Sequence, residues 1–211
     1  MLCNRDKGTI FFDIVDIISR TKPKAVFLEN VENLVSHDKG KTIEVIVNTL
    51  EKELGYRIIG VNMEQDGSYS YSTKSFVRNS KKFGLPQNRP RAYIMAFSKA
   101  VYGDAIKLLT EGLPEDSKKT IFADVSEILE KDVPDFYYMS SQYLETLKKH
   151  KAREKAKGNG FGYAVVNVAK GEKAIANTIL ATGGSGKERN LIYQPKEGIA
   201  GKVLKSKRSP L

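Results

Sequence analysis

The chain has 211 residues, 40% hydrophobic and 28% charged, enough for one medium domain or a domain with a smaller companion. It has no apolar run of membrane-spanning length. The opening MLCNRDKG lacks the basic and apolar regions of a signal peptide, and the single cysteine, Cys3, excludes an internal disulfide. These features suggest a cytoplasmic, reducing setting with no membrane. No Cys/His cluster has metal-ligand spacing. The net charge of +10 is uneven: residues 1–139 hold 20 Lys/Arg against 20 Asp/Glu, whereas residues 140–211 hold 15 against 5. A basic segment beside a neutral one suits a polyanion-binding part joined to a scaffold, and a merely solvated surface is the alternative.

In chain order, TIFFDIVDIISR (9–20) has apolar residues at helical spacing, and Pro23 follows as a stop. KAVFLENV is a short continuous apolar run, which predicts a strand buried on both faces, as in a parallel sheet. Residues 41–54 return to helical period through Ile43, Ile46, Val47, Leu50 and Leu54, and Gly55 is a plausible cap. YRIIGVNM (56–63) predicts the next strand, residues 64–80 a polar surface loop, and RAYIMAF (91–97) a further strand. Strands alternating with helices predict an α/β layer structure with parallel strands. Beyond a boundary near 98–120 the pattern changes. SSQYLETLKKHKAREKAKG (140–158) predicts a helix that begins amphipathic and ends basic, followed by Gly- and Lys-rich sequence with short β-type runs, YAVVNV and RNLIYQ.

Two segments carry candidate chemistry. Glu29 and Asn30 end the apolar run 25–28, and ligands of open α/β sheets bind beyond the carboxyl ends of strands. A carboxyl group there can donate or accept a proton, although Asn30 as a cap beside an exposed Glu29 is the simpler reading of an isolated pair. GLPQNRPRAYIMAF (84–97) places Gln87, Arg89 and Arg91 at the start of a strand. Two arginines two apart in an extended segment project from one face, where each can make a forked contact to phosphate or a carbonyl oxygen.

Together, KGTIFFDIVDIISRTKPKAVFLENVENLVSHDKGKT and FGLPQNRPRAYIMAF resemble the cytosine-5 DNA methyltransferases, through Glu-Asn-Val and Gln-x-Arg-x-Arg motifs in the family's order. The resemblance is dense over residues 6–98. Afterwards KGNGFGYAVV is similar to a segment of some bacterial members, and ANTILATGGSG to the family's Thr-plus-apolar pair followed by glycines, which places Thr178 in that role. The resemblance implies an α/β fold: the C-terminal half of a Rossmann-like methyltransferase sheet over 1–98, then a smaller mixed, mainly β, target-recognition region over 99–211. It implies an enzyme that flips cytosine out of double-stranded DNA and moves a methyl group from S-adenosylmethionine to C5. Glu29 would contact the ring N3 and exocyclic amine, Arg91 the O2, and Arg89 the backbone or the nucleophile's loop, while Asn30 would hold the local backbone. Gln87, Thr178, Gly183 and Gly184 would lie at the DNA. Lys148, Lys149 and Lys151 join them from the charge of KKHKAREKAK (148–157).

The family's nucleophile lies in a Pro-Cys motif, and Cys3 follows Leu2. Cys3 is therefore expected to be non-catalytic, and the chain alone inactive. The glycine-containing cofactor loop is likewise expected outside these residues, and a complementary chain supplying both is one expectation. A piece of an ordinary methyltransferase, a DNA-binding subunit of a split methyltransferase, a decayed copy, and a non-enzymatic DNA-binding module are the alternatives.

Overall fold

A computed structural model of the chain describes residues 10–103, 105–106, 112–117, 119–159, 162–168, 173–179 and 190–194. The chain divides into two units, residues 1–79 with 90–116, and residues 80–89 with 117–211.

In the first unit, helix α1 (Ile10–Thr21) turns Ile18 into the core with Phe11 and Ile14 beside it, and Asp16 and Arg20 pair along its outer side at 2.9 Å. Strand β1 (Ala25–Val31) follows. Helix α2 (Lys41–Asn48) then buries Ile43, Ile46 and Val47. It runs on into a π-turn, Thr49–Glu53. One extra residue per turn rotates the side chains that follow, so Thr49, Leu50 and Glu51 are all buried in succession. The predicted strand 56–63 is two strands, β2 (Tyr56–Ile58) and β3 (Val61–Met63), divided at Gly60, whose φ of +80° only glycine takes readily. The stretch 64–80, read as a loop, contains β4 (Tyr69–Tyr71), antiparallel to β3, and β5 (Val77–Asn79).

The long strand β7 (Pro90–Ser98) is the centre of the main sheet. It pairs antiparallel with β1 along one edge, and with β2 and β5 along the other. The expectation of parallel neighbours is thus corrected. β1 and β2 share a direction, but β7 lies between them and runs the opposite way, so every pair in this sheet is antiparallel. The expectation that β1 is buried on both faces is corrected as well. Val26 is buried while Phe27 and Val31 are 58% and 52% exposed, because one face alone meets the core of Ile43, Val47, Leu50, Ile58, Ile94 and Ala96. β7 shows the same alternation: Ala92, Ile94 and Ala96 are buried, and Arg91, Tyr93 and Met95 lie on the opposite face, half-buried.

In the second unit, the short helix α3 of the first unit (Lys99–Tyr102) having closed β7, the chain forms α4 (Ser141–Ala156), with Ser140 accepting from the Tyr143 amide as its N-cap. Its strands are two residues each: β6 (Gln87–Asn88) parallel to β9 (Ala176–Asn177), and β8 (Ala164–Val165) parallel to β10 (Asn190–Leu191). Helix α4 is therefore the longest described element in a region expected to be mainly β. Side-chain amides extend the ladders. Asn190 exchanges two hydrogen bonds with the backbone of Asn177, at 2.9 Å each, and Asn167 does the same with Tyr193 at 2.7 and 2.8 Å.

Asp124 closes the small core of Val125, Val166 and Ala174. Its carboxylate accepts from the Ala174 amide (2.6 Å), the Ser126 amide (2.8 Å) and the Ser126 hydroxyl (2.7 Å). These bonds, the Ala174 amide foremost, hold its carboxyl below the usual carboxylate range. A carboxyl depressed in the folded state stabilises above its unfolded value, and that contribution is lost as pH falls through the folded one. Exchange of the Ala174 and Ser126 amides, corrected for intrinsic rates, is expected to rise on acidification below the carboxylate range. In Asp124→Asn it is expected to be faster throughout and to lack this pH dependence.

Candidate base-contacting and DNA-binding residues

Directly paired residues of neighbouring strands share a sheet face. Glu29 lies opposite Tyr93, and Val31 opposite Arg91, so Glu29 and Arg91 are diagonal neighbours on the face away from the core. Their side chains meet: Arg91 Nε is 3.0 Å from Glu29 Oε1, with the guanidinium 14% and the carboxylate 46% exposed. Arg91 also donates from Nη1 to the Pro90 carbonyl at 2.7 Å. The arginine is thus fixed by the sheet and by its own backbone, while the acid keeps one side toward solvent. Phe27 stacks on Tyr93 next to them, rings 5.7 Å apart and 19° from parallel. Asn30 turns back on the chain, its Oδ1 accepting from the Val31 amide at 2.8 Å, where β1 passes into a 3₁₀ turn (Glu32–Val35).

Arg78 was not evident in the sequence. It lies directly across from Arg91 on β5, yet its guanidinium is taken up by carbonyls, of Val77 at 2.7 Å and of Leu113 and Pro114. Nothing in the tripeptide Val-Arg-Asn marks that use. Of two arginines on one face, Arg78 ties down a loop and Arg91 meets a carboxylate.

In the second unit Gln87 and Thr178, ninety-one positions apart, come to one place. Gln87 pairs with Ala176 across β6 and β9, and the Thr178 hydroxyl donates to the Asn88 carbonyl at 2.9 Å. Ser80 Oγ donates to the Gln87 carbonyl at 2.6 Å and the Ala176 amide to that of Pro86 at 2.8 Å, so the Gln-x-Arg segment is held from both sides. Arg89 follows β6, its carbonyl accepting from the Ser80 amide. Gly183 and Gly184 lie outside the described residues, as does Cys3.

The three lysines of α4 differ in use. Lys148 pairs with Glu145 at 2.7 Å, which raises the lysine's pKa and lowers the acid's through their hydrogen bond. Lys151 donates to the Tyr163 carbonyl at 2.8 Å. Lys149 is exposed, four residues before exposed Arg153. Among the described residues, no group of His, Cys, Asp and Glu is arranged to hold a metal ion, and no helix is long and apolar enough to cross a membrane.

The Glu-Asn-Val and Gln-x-Arg-x-Arg segments thus bring an acid and an arginine together on the sheet face away from the core. Residues 3–207 match the C-5 cytosine-specific DNA methylase family, and the chain belongs to that family. It is 42% identical over 205 residues to the Type II methyltransferase M.HpaII of Haemophilus parainfluenzae, covering 93% of this chain and 50% of that protein. It is 38% identical to M1.ScrFI of Lactococcus lactis subsp. cremoris, over 76% of this chain and 36% of the relative, and 32% identical to M.NlaX of Neisseria lactamica, over 90% and 51%. The chain thus spans about half or less of the length of these relatives. The family's methyl donor is S-adenosylmethionine.

Proposed function

We propose that Glu29 and Arg91 are the base-contacting part of a cytosine-C5 methyl-transfer site, and that the second unit binds double-stranded DNA. The observation that carries this is the Glu29–Arg91 pair, 3.0 Å apart on the face of the sheet away from the core. A cytosine swung out of its duplex offers an N3 and an exocyclic amine beside a carbonyl oxygen. A carboxyl group and a guanidinium at ion-pair distance match that edge: Glu29 meets the two nitrogens and Arg91 the oxygen. When C6 of the ring is attacked, negative charge develops toward O2 and N3, where a fixed cation and an acid able to hold a proton at N3 stabilise it. Until the base arrives the two side chains satisfy each other, so little reorganisation is needed.

The second unit carries 21 Lys/Arg against 10 Asp/Glu, a net charge of +11, and the first unit 14 against 15. Phosphate neutralisation accounts for such a division, with Lys149 and Arg153 as the exposed pair of α4 one turn apart. Thr178 and Gln87, joined through β6 and β9, suit contacts to DNA phosphates, and Arg89 beside them suits the backbone. Asn30 holds the strand end through its bond to Val31.

The 211 residues contain no Pro-Cys dipeptide. That observation favours a second form of the same reading, in which the nucleophile and the methyl donor are held by polypeptide outside these residues. This chain then supplies the base contacts and the DNA-binding unit. Glu29→Gln is expected to lower methyl transfer by about 10²–10⁴-fold while leaving duplex affinity within about twofold. Transfer of labelled methyl groups, measured beside binding isotherms, checks both.

A further inference from the structure

We propose that Arg78 is a positioning residue for Arg91: its charge, directly across the strand pair, keeps the Arg91 guanidinium on the Glu29 side of the sheet. The inference rests on the reading of Glu29 and Arg91 as base contacts.

Strands β5 and β7 bring the two arginines together. In their antiparallel register Arg78 stands directly opposite Arg91, between the pairs Val77–Ala92 and Asn79–Pro90. Ala92 is buried and Val77 packs against the core, so both arginines lie on the other face, the one that carries Glu29. β1 flanks β7 along the opposite edge, so Arg91 has an acid on one side and a cation on the other. Directly opposed side chains start about 4.5–5.5 Å apart, and like charges there repel. Each guanidinium turns away from the other. Arg78 spends all three of its nitrogens on carbonyls: Nη1 donates to Val77 at 2.7 Å, Nη2 to Leu113 and Nε to Pro114. Arg91 Nε lies 3.0 Å from Glu29 Oε1, and its Nη1 donates to the Pro90 carbonyl at 2.7 Å.

The partners of Arg78 matter as much as its place. They are neutral carbonyls, which fix the guanidinium and cancel none of its charge. An acid in their stead would neutralise Arg78 and end its effect on Arg91. The Leu113 and Pro114 carbonyls are also acceptors that a second guanidinium on this face could serve, and Arg78 occupies them. Arg91 is thus turned toward Glu29 by repulsion on one side and attraction on the other. A guanidinium that meets the carbonyl oxygen of a base depends on such placement, because an error of about 1 Å can cost about 10²-fold in rate.

The test compares Arg78→Gln, which removes the charge, with Arg78→Lys, which keeps it. Neither rebuilds the fork to three carbonyls, so a purely structural tie gives the same result in both. In the chain without DNA, NMR relaxation of the Arg91 Nε–H reads how firmly the guanidinium is held. Exchange of the Ile59 amide, which donates to the Met95 carbonyl at 2.9 Å, reads whether the sheet is intact. With the polypeptide that holds the nucleophile and the methyl donor, kcat and KM for duplex DNA are measured. The Arg91 Nε–H is expected to lose its order in Arg78→Gln and to keep it in Arg78→Lys, with Ile59 equally protected in both. In Arg78→Gln kcat is expected to fall about 10–100-fold with KM within about twofold, and in Arg78→Lys to recover most of that loss. Adding Arg78→Gln to Arg91→Met is expected to cost nothing further, since Arg78 acts through Arg91. Equal loss of order in the two variants, or loss of Ile59 protection, makes Arg78 a structural tie and overturns the proposal. Unchanged order in both overturns it as well. Parental methyl transfer by Arg91→Met overturns the base-contact reading instead, and the order of Arg91 then still decides what Arg78 does.

Discussion

Lys99→Met is expected to destabilise the first unit by about 3–5 kcal/mol, because it leaves a buried carboxylate without its close cation. The Glu51 side chain has no exposed surface. Its Oε1 accepts from the Ile58 amide at 2.7 Å, which ties the π-turn to β2. Lys99 Nζ lies 2.9 Å from Oε2 but off the hydrogen-bonding direction, so that contact is ionic and Oε2 has no hydrogen bond of its own. Lys99 also donates to the Glu51 carbonyl at 2.9 Å. Arg57 stands farther off at 3.8 Å and does not replace it. Glu51→Gln keeps an acceptor for Ile58 and removes the charge. Combined with Lys99→Met it is expected to recover most of the loss, and the coupling in that double-mutant cycle is the decisive quantity. Urea unfolding, with exchange of the Ile58 amide as a local probe, measures it. A loss below about 1 kcal/mol for Lys99→Met would show that the carboxylate relaxes to water at little cost.

Gly84→Ala is expected to disrupt the second unit at the base of the Gln-x-Arg segment. Gly84 has φ +79°, and a Cβ built there would stand 2.6 Å from the Lys119 carbonyl oxygen, 2.8 Å from the Ile121 nitrogen and 2.8 Å from the Thr120 Cα. All three are backbone atoms, so no rotamer change relieves the contact. The left-handed conformation costs about 1–2 kcal/mol for a residue with a side chain, and forcing the two backbones apart costs roughly 1–3 kcal/mol more. The Gly84 carbonyl accepts from the Ile121 and Phe122 amides at 3.1 and 2.9 Å. Those amides are expected to lose protection in Gly84→Ala, with the Ile58 amide of the first unit unaffected. Equal loss at both places would mean that the two units unfold together.

Periodic segments were legible. The 3.6-residue pattern of 9–20 and 140–158 and the apolar runs at 25–28 and 91–97 became α1, α4, β1 and β7, because each is long enough for burial of one face to dominate. Strand direction was not legible. β1 and β2 look like strands of a parallel sheet until β7, which returns between them, is known. β4 and β5 are three residues each, Tyr-Ser-Tyr and Val-Arg-Asn, too short to show alternation. Glu51 reads as an exposed helix acid beside Lys52 and Glu53, and the π-turn that carries it inward has no sequence mark. The candidate site divides in the same way. Glu29 and Arg91 were named from their motifs and are in contact. That Lys151 is spent on Tyr163, twelve residues away, depends on the path of the chain after α4 and cannot be read from a run of lysines.

The most direct measurement is the position of the methyl group. The chain, with the polypeptide that carries the Pro-Cys and glycine-containing segments, is incubated with duplex DNA and S-adenosylmethionine labelled in its methyl group, and the nucleosides are then separated. Label is expected on C5 of cytosine, reduced about 10²–10⁴-fold in Glu29→Gln at unchanged duplex binding. Label on an exocyclic amine of cytosine or adenine, or a parental rate in Glu29→Gln, would contradict it.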